Sequence, residues 1–164
     1  LDRPDVQGSE LRFCAEAIKE IRSRPGGMDK SIWRPVLDAR VSSWVPEGLS
    51  GQVHTVYTVS CQMDVPSYST WKLSLRFSRF KELNDTLYRL GAVRSSTSVP
   101  FPSAGWLTST TDKTRSERQV ALDAWLRDVL LTPAIMGSAA TSAAIFSFLE
   151  VMNNLKMAPA LGRP

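Results

Sequence analysis

The 164 residues carry 20 Lys and Arg against 16 Asp and Glu, a formal net charge of +4, and 43% of them are hydrophobic. That is enough apolar material for one domain with a real core, which excludes wholesale disorder. The mild basic excess favours anionic partners such as phosphates or membrane surfaces. No apolar run approaches the roughly 18 residues that a bilayer-crossing helix needs.

The start, "LDRPDVQGSE", has neither the basic opening nor the apolar stretch of a signal peptide, and it lacks an initiator Met. The expectation is a piece of a larger protein. Cys14 and Cys61 are too few for a disulfide framework or a zinc site, which fits a reducing, cytosolic location.

Ser9 to Arg24 reads as a helix. Leu11, Cys14, Ala15, Ile18 and Ile21 form one apolar stripe, Ser9 can cap it, and Pro25-Gly26-Gly27 stops it. The stripe is expected to pack back on the domain, the alternative being a neighbouring domain or a second copy. A linker follows to about Pro35, so residues 1–34 form an extension ahead of a domain at 35–155.

Arg40 to Val45 reads as a short strand ended by Pro46-Glu47-Gly48. Val53 to Met63 alternates clearly, with Val53, Tyr57, Val59, Cys61 and Met63 on one face and His54, Thr58, Ser60 and Gln62 on most of the other. A turn around Asp64-Val65-Pro66-Ser67 leads to a third strand, Trp71 to Arg76. Short connections predict an antiparallel three-stranded meander.

At Ser78 the period changes, and a helix to Leu90 should bury Phe80, Leu83, Leu87 and Leu90. The stretch "GAVRSSTSVPFPSAGWLTSTTDK" is irregular and Pro-rich, with an unpartnered apolar pair at Trp106-Leu107. Thr114-x-x-Glu117 reads as a capping box for a helix that buries Leu122, Trp125, Leu126, Val129 and Leu130 and that Pro133 ends. A final helix near Thr141 to Leu155 should bury Ile145, Phe148, Leu149 and Met152, and residues 156–164 read as an unstructured tail. Strands followed by helices, with no strand-helix alternation, predict the α+β class.

Catalytic signals are missing. The single histidine, His54, sits in a strand with no Cys or Ser motif around it. No nucleophile elbow, Walker loop, dinucleotide fingerprint or metal-binding helix is present. No catalytic residue, metal or cofactor is expected, and a charge of +4 with no recognisable motif argues against nucleic acid.

Arg76 stands out instead. Alternation turns its side chain away from Leu75 and Phe77, and it precedes Ser78, the expected cap of a helix whose free N–H groups attract anions. A planar fork of donors beside a helix start suits a phosphate; the plainer reading is a solvated strand-end arginine.

The segments "LSLRFSRFKELNDTL", "VPFPSAGWL", "RSERQVALDAWLRDVL" and "AAIFSFLEV" follow one another in order and spacing. Together, over roughly Pro35 to Leu155, they resemble the phox-homology (PX) family of phosphoinositide-binding domains. The resemblance implies a three-stranded antiparallel sheet packed against a helical subdomain. It makes Arg76 the ligand of an inositol 3-phosphate and Phe77 the aromatic against the ring. Arg118 becomes the arginine on the ring's far side, and Trp106-Leu107 the tip that enters the bilayer.

Phe77 stands where the family has Tyr, and Ser103-Ala104 where it usually has a lysine for the 1-phosphate, a contact worth on the order of 1 kcal/mol. Lys113 or Arg115 can substitute from the following turn, and Arg79, Lys81 and Arg94 add basic charge for an anionic surface. Read without the resemblance, Phe77 is equally a core residue, Arg118 a partner of Glu117 or Asp112, and Trp106 a lid over the sheet.

The implied function is recruitment of a larger cytosolic protein to endosomal-type membranes through phosphatidylinositol 3-phosphate. The alternative is a protein-interaction module on the same fold, acting through the Pro-rich loop or the N-terminal helix.

Overall fold

Alternating side chains build the sheet. The computed structural model describes residues 37–64, 68–92, 98–102 and 111–155. In it β1 (Leu37–Glu47), β2 (His54–Met63) and β3 (Ser69–Arg76) form an antiparallel meander in the order β1-β2-β3. Ala39, Cys61 and Trp71 lie abreast across it, as do Val41, Val59 and Leu73, and all six are buried. Arg40, Ser60 and Lys72, one position along, line the other face. A slip of one residue would exchange the two sets, so burial fixes the register.

β1 runs for eleven residues, well beyond the expected Arg40 to Val45. Its register shifts between Val41 and Ser43, which breaks the alternation that would have betrayed its length. It also continues through Pro46, which an edge strand tolerates.

The helices are α1 (Phe77–Arg89), α2 (Asp112–Leu131), α3 (Pro133–Met136), α4 (Ala139–Phe148) and α5 (Val151–Asn154). Sheet and helices make the fold α+β, as the order of elements predicts. Phe80, Leu83 and Leu87 of α1, and Leu122, Trp125, Leu126, Val129 and Leu130 of α2, meet the sheet in one core with Ile145, Phe148 and Leu149.

Several expectations need correction. Leu90 is exposed because α1 has already ended, and the chain turns at Gly91 with a left-handed φ of 75°. Pro133 does not simply end α2: after Thr132 it occupies the first turn of α3, where its missing N–H is harmless. The last helix is two, broken at Glu150, whose φ of 51° restarts the spiral so that Val151 is buried and Met152 faces out. The cap of α2 is Thr111, whose hydroxyl accepts from the Thr114 N–H, three residues before the expected box. The expected Ser9–Arg24 helix, the linker and the tail beyond Leu155 lie outside the described residues.

Two acids on α2 hold its neighbours. Asp123 accepts from Arg40 Nε at 3.0 Å and Nη2 at 2.9 Å, and from the Val41 backbone N–H at 2.9 Å. Gln119 Nε2 donates to the Val41 carbonyl at 3.3 Å. These side chains take the backbone positions on the β1 edge that another strand would use. Asp128 accepts from the Ser98 N–H and hydroxyl and from the Val99 N–H, which ties the Pro-rich segment to the same helix.

Asp123→Ala should lower the unfolding free energy by about 2 kcal/mol, since it strands a backbone donor and unpairs an arginine. Half of Arg40 is in solvent, so the Val41 bond should carry most of that loss, and Asp123→Asn should recover part of it. Urea unfolding followed by circular dichroism measures both.

Candidate functional site

β3 passes into α1 without a loop. Arg76 is both the last strand residue, paired with Val56, and the N-cap of α1, with extended backbone at φ −80° and ψ 157°. Ser78, the expected cap, is the second helical residue. The Arg76 side chain makes no cap hydrogen bond and is exposed, and among the described residues no carboxylate pairs with it. The first N–H groups of α1 have no helical acceptor. A free guanidinium therefore stands beside the positive end of a thirteen-residue helix.

Phe77 was open between core and platform; it is 8% exposed and serves the core. Its ring lies 5.5 Å from that of Phe101, which in turn meets Trp125 edge-on at 4.9 Å. The Arg118 guanidinium carbon lies 5.1 Å from the centre of the Phe77 ring, within cation–π range. The turn of α2 thus brings together the two ends of the "RF…R" pattern from elements far apart in the chain.

Arg118 is the unusual member. It is 6% exposed, and its Nε and Nη2 are buried without any hydrogen-bond partner. Neither candidate acid takes it. Asp112 pairs with Arg115 at 3.1 Å, and Glu117 lies 3.9 Å from Lys113. Buried charges are ordinarily paired, because desolvation is costly otherwise. A guanidinium kept dry and without an acid is suited to oxygens that arrive from outside.

The neighbouring basic residues divide. Arg115 donates from Nε to the Thr55 hydroxyl at 3.0 Å, pairs with Asp112, and stacks over Trp44 at 5.4 Å, while Trp44 Nε1 donates to Ser116 at 3.1 Å. It joins α2 to the β1–β2 hairpin. Lys113 is open to solvent. Arg79 and Lys81 pair within α1 with Glu82 and Asp85. Such exposed pairs add little stability. Trp106, Leu107, Arg94 and the Ser103-Ala104 position lie outside the described residues. The described part of the Pro-rich segment turns inward, with Val99 and Phe101 packed against the core.

Sequence reasoning placed the turn between β1 and β2 but missed its apolar tip. Pro46 pairs with Thr55 and Val56 with Arg76, so the turn from Gly48 to Gln52 projects beyond Arg76 at the same end of the sheet. At its tip Leu49 is 86% exposed, flanked by half-exposed Val45 and Val53. Gly48 makes the turn possible: its φ is 120°, and a Cβ there would meet the Gln52 carbonyl oxygen at 2.5 Å. A large apolar residue between Gly48 and Ser50-Gly51 is the same signal that singles out Trp106-Leu107.

The rest of the surface offers little chemistry. Among the described residues no cluster of His, Cys, Asp and Glu could hold a metal, and no helix is long and apolar enough to cross a membrane. Burial pushes the Cys61 thiol up to about 12, so it stays protonated and unreactive near neutral pH.

A family model described as PX domain matches residues 63–151. Among solved structures, the chain is similar to an X-ray structure of a designed CISK-PX domain, with a TM-score of 0.49 and 16% identity over 65% of this chain and 95% of that one. No curated protein matches the chain.

Arg118→Met keeps a similar volume and removes the unpaired charge. The ligand-free variant should unfold at the same temperature as the parent or higher, measured by differential scanning calorimetry. A midpoint lowered by several degrees would make the guanidinium a structural member of the core.

Proposed function

Because the chain belongs to the PX domain family, whose members are non-enzymatic lipid-binding modules, we propose that this one binds phosphatidylinositol 3-phosphate. In doing so it would bring a larger protein to endosomal-type membranes. Arg76 takes the 3-phosphate together with the first N–H groups of α1. Phe77 supplies the apolar wall beneath the inositol, and Arg118 takes oxygens on the far side of the ring. The observation that carries this reading is the meeting of Arg118 with Phe77 at 5.1 Å, one residue from an unpaired Arg76.

The division of labour follows from exposure. Arg76, in solvent at the helix start, is suited to a dianion that stays partly hydrated. Arg118, dry and over an aromatic ring, is suited to neutral hydroxyls, whose desolvation costs less than that of a phosphate. That preference fits a headgroup phosphorylated at position 3 and unmodified beyond it. Lys113 and Arg115 are the auxiliary cations in the first turn of α2, and Lys113, the more exposed of the two, is the better placed to reach outward.

Membrane attachment adds three modest terms. The headgroup is read by the pocket. Trp106 and Leu107 enter the bilayer, Trp suiting the headgroup zone, and Leu49 adds a second apolar tip. Basic side chains near the surface contribute about 1 kcal/mol each where they are not already paired. Any one of these anchors is weak and reversible alone.

Arg76→Ala should abolish binding to vesicles containing phosphatidylinositol 3-phosphate while leaving the circular dichroism spectrum unchanged. Unaltered co-sedimentation would remove Arg76 from the site, and an intact parent protein that ignores vesicles would favour the protein-interaction reading. Leu49→Asp should weaken vesicle binding several-fold yet leave the affinity for a soluble short-chain lipid untouched, as isothermal titration can show.

A further inference from the structure

The β1–β2 hairpin outruns the rest of the sheet. β3 ends at the row of Val45, Val56 and Arg76, and beyond it only the pairs Pro46–Thr55 and Glu47–His54 continue to the turn. A two-stranded ribbon is marginal in water on its own and twists more strongly than a full sheet. Its internal bonds are slight. The Gln52 N–H donates to the Leu49 carbonyl at 2.9 Å, and His54 lies 3.9 Å from Glu47. Yet this ribbon carries Leu49, the most exposed large apolar side chain among the described residues.

α2 steadies it from one side. Trp44, one position before the last three-stranded row, packs against the core, and its Nε1 donates to the Ser116 hydroxyl at 3.1 Å. The Arg115 guanidinium lies 5.4 Å from the centre of the Trp44 ring, within cation–π range. On the other arm the Thr55 hydroxyl accepts from Arg115 Nε at 3.0 Å. Among the described residues, no other hydrogen bond from a separate element reaches residues 44–55. Both contacts come from the start of α2, whose next residues lead to Arg118. Trp44 is itself no anchor, because its N–H is given to Ser116 and its ring packs on the core.

We propose that Trp44 is a positioning residue for membrane attachment: gripped by the start of α2, it fixes the two-stranded end of the hairpin so that Leu49 meets the bilayer while Arg118 holds the headgroup. The inference rests on the membrane-binding reading above and adds to it a residue that touches neither bilayer nor headgroup. A ribbon already held in its bound pose loses little freedom when its tip enters the membrane, whereas a loose one must first be ordered.

Two variants of the full chain separate this role from a purely structural one. Trp44→Leu removes both the N–H and the ring under Arg115, and Ser116→Ala removes only the acceptor. On vesicles containing phosphatidylinositol 3-phosphate, co-sedimentation should show affinity reduced about fivefold in Trp44→Leu, the scale of one neutral hydrogen bond. Ser116→Ala should show a smaller loss in the same direction. Isothermal titration with the short-chain lipid should give both variants the parent's affinity. In a Leu49→Asp chain, Trp44→Leu should cost vesicle binding nothing further, because the tip that it aims has gone. Should Trp44→Leu fail to fold, Ser116→Ala carries the same comparisons.

Unchanged vesicle affinity in both variants would overturn the role of Trp44 and leave the headgroup site standing. An equal fall in vesicle and short-chain affinity would also overturn it, as the mark of contacts that serve the fold alone. So would a loss that adds in full to that of Leu49→Asp, since Trp44 would then act without the tip. A parent chain that binds neither vesicles nor short-chain lipid would overturn the headgroup reading and this role together.

Discussion

A guanidinium held in the interior without a carboxylate is the constraint around which this end of the fold is arranged. Arg118 is buried over the Phe77 ring, and the acids nearest in sequence are engaged by Arg115 and Lys113. Had Asp112 or Glu117 turned inward, the molecule would have gained a buried ion pair and lost its free donors. Their engagement elsewhere keeps the charge available. Sites that stabilise a ligand by preorganised donors commonly carry this kind of local cost in the free protein.

α2 is the element that makes the arrangement hold. Arg118, Asp123 and Asp128 follow at intervals of five residues and so point in three directions around the helix. The first reaches the Phe77 ring, the second closes the β1 edge, and the third ties down Ser98 and Val99. Its first turn is joined to the hairpin through Arg115 and Trp44. Movement of α2 would therefore disturb the sheet edge, the Pro-rich segment and the Arg118–Phe77 contact together.

Much of this was legible in the sequence where one rule governs one face. β2, with its unbroken alternation, and the apolar positions of α2 follow from periodicity alone, because each of those faces meets the core over its whole length. β1 was read too short because its register shift interrupts the period, and α1 was started late because its cap is an arginine that also ends a strand. The final helix was read as continuous because a left-handed glutamate carries no sequence signature. Arg76, Phe77 and Arg118 stand out as candidates only through a pattern spread over three segments.

The direct passage from β3 into α1 has an evolutionary and engineering consequence. Arg76 is fixed from behind by its ladder partner Val56 and from ahead by the first turn of the helix. Adding or deleting one residue at that seam would rotate every side chain of the helix by about 100° around its axis. Length variation should be confined to the hairpin tip and the loop segments. The junction should behave as a fixed-length element whose spacing cannot drift even where its residue types can.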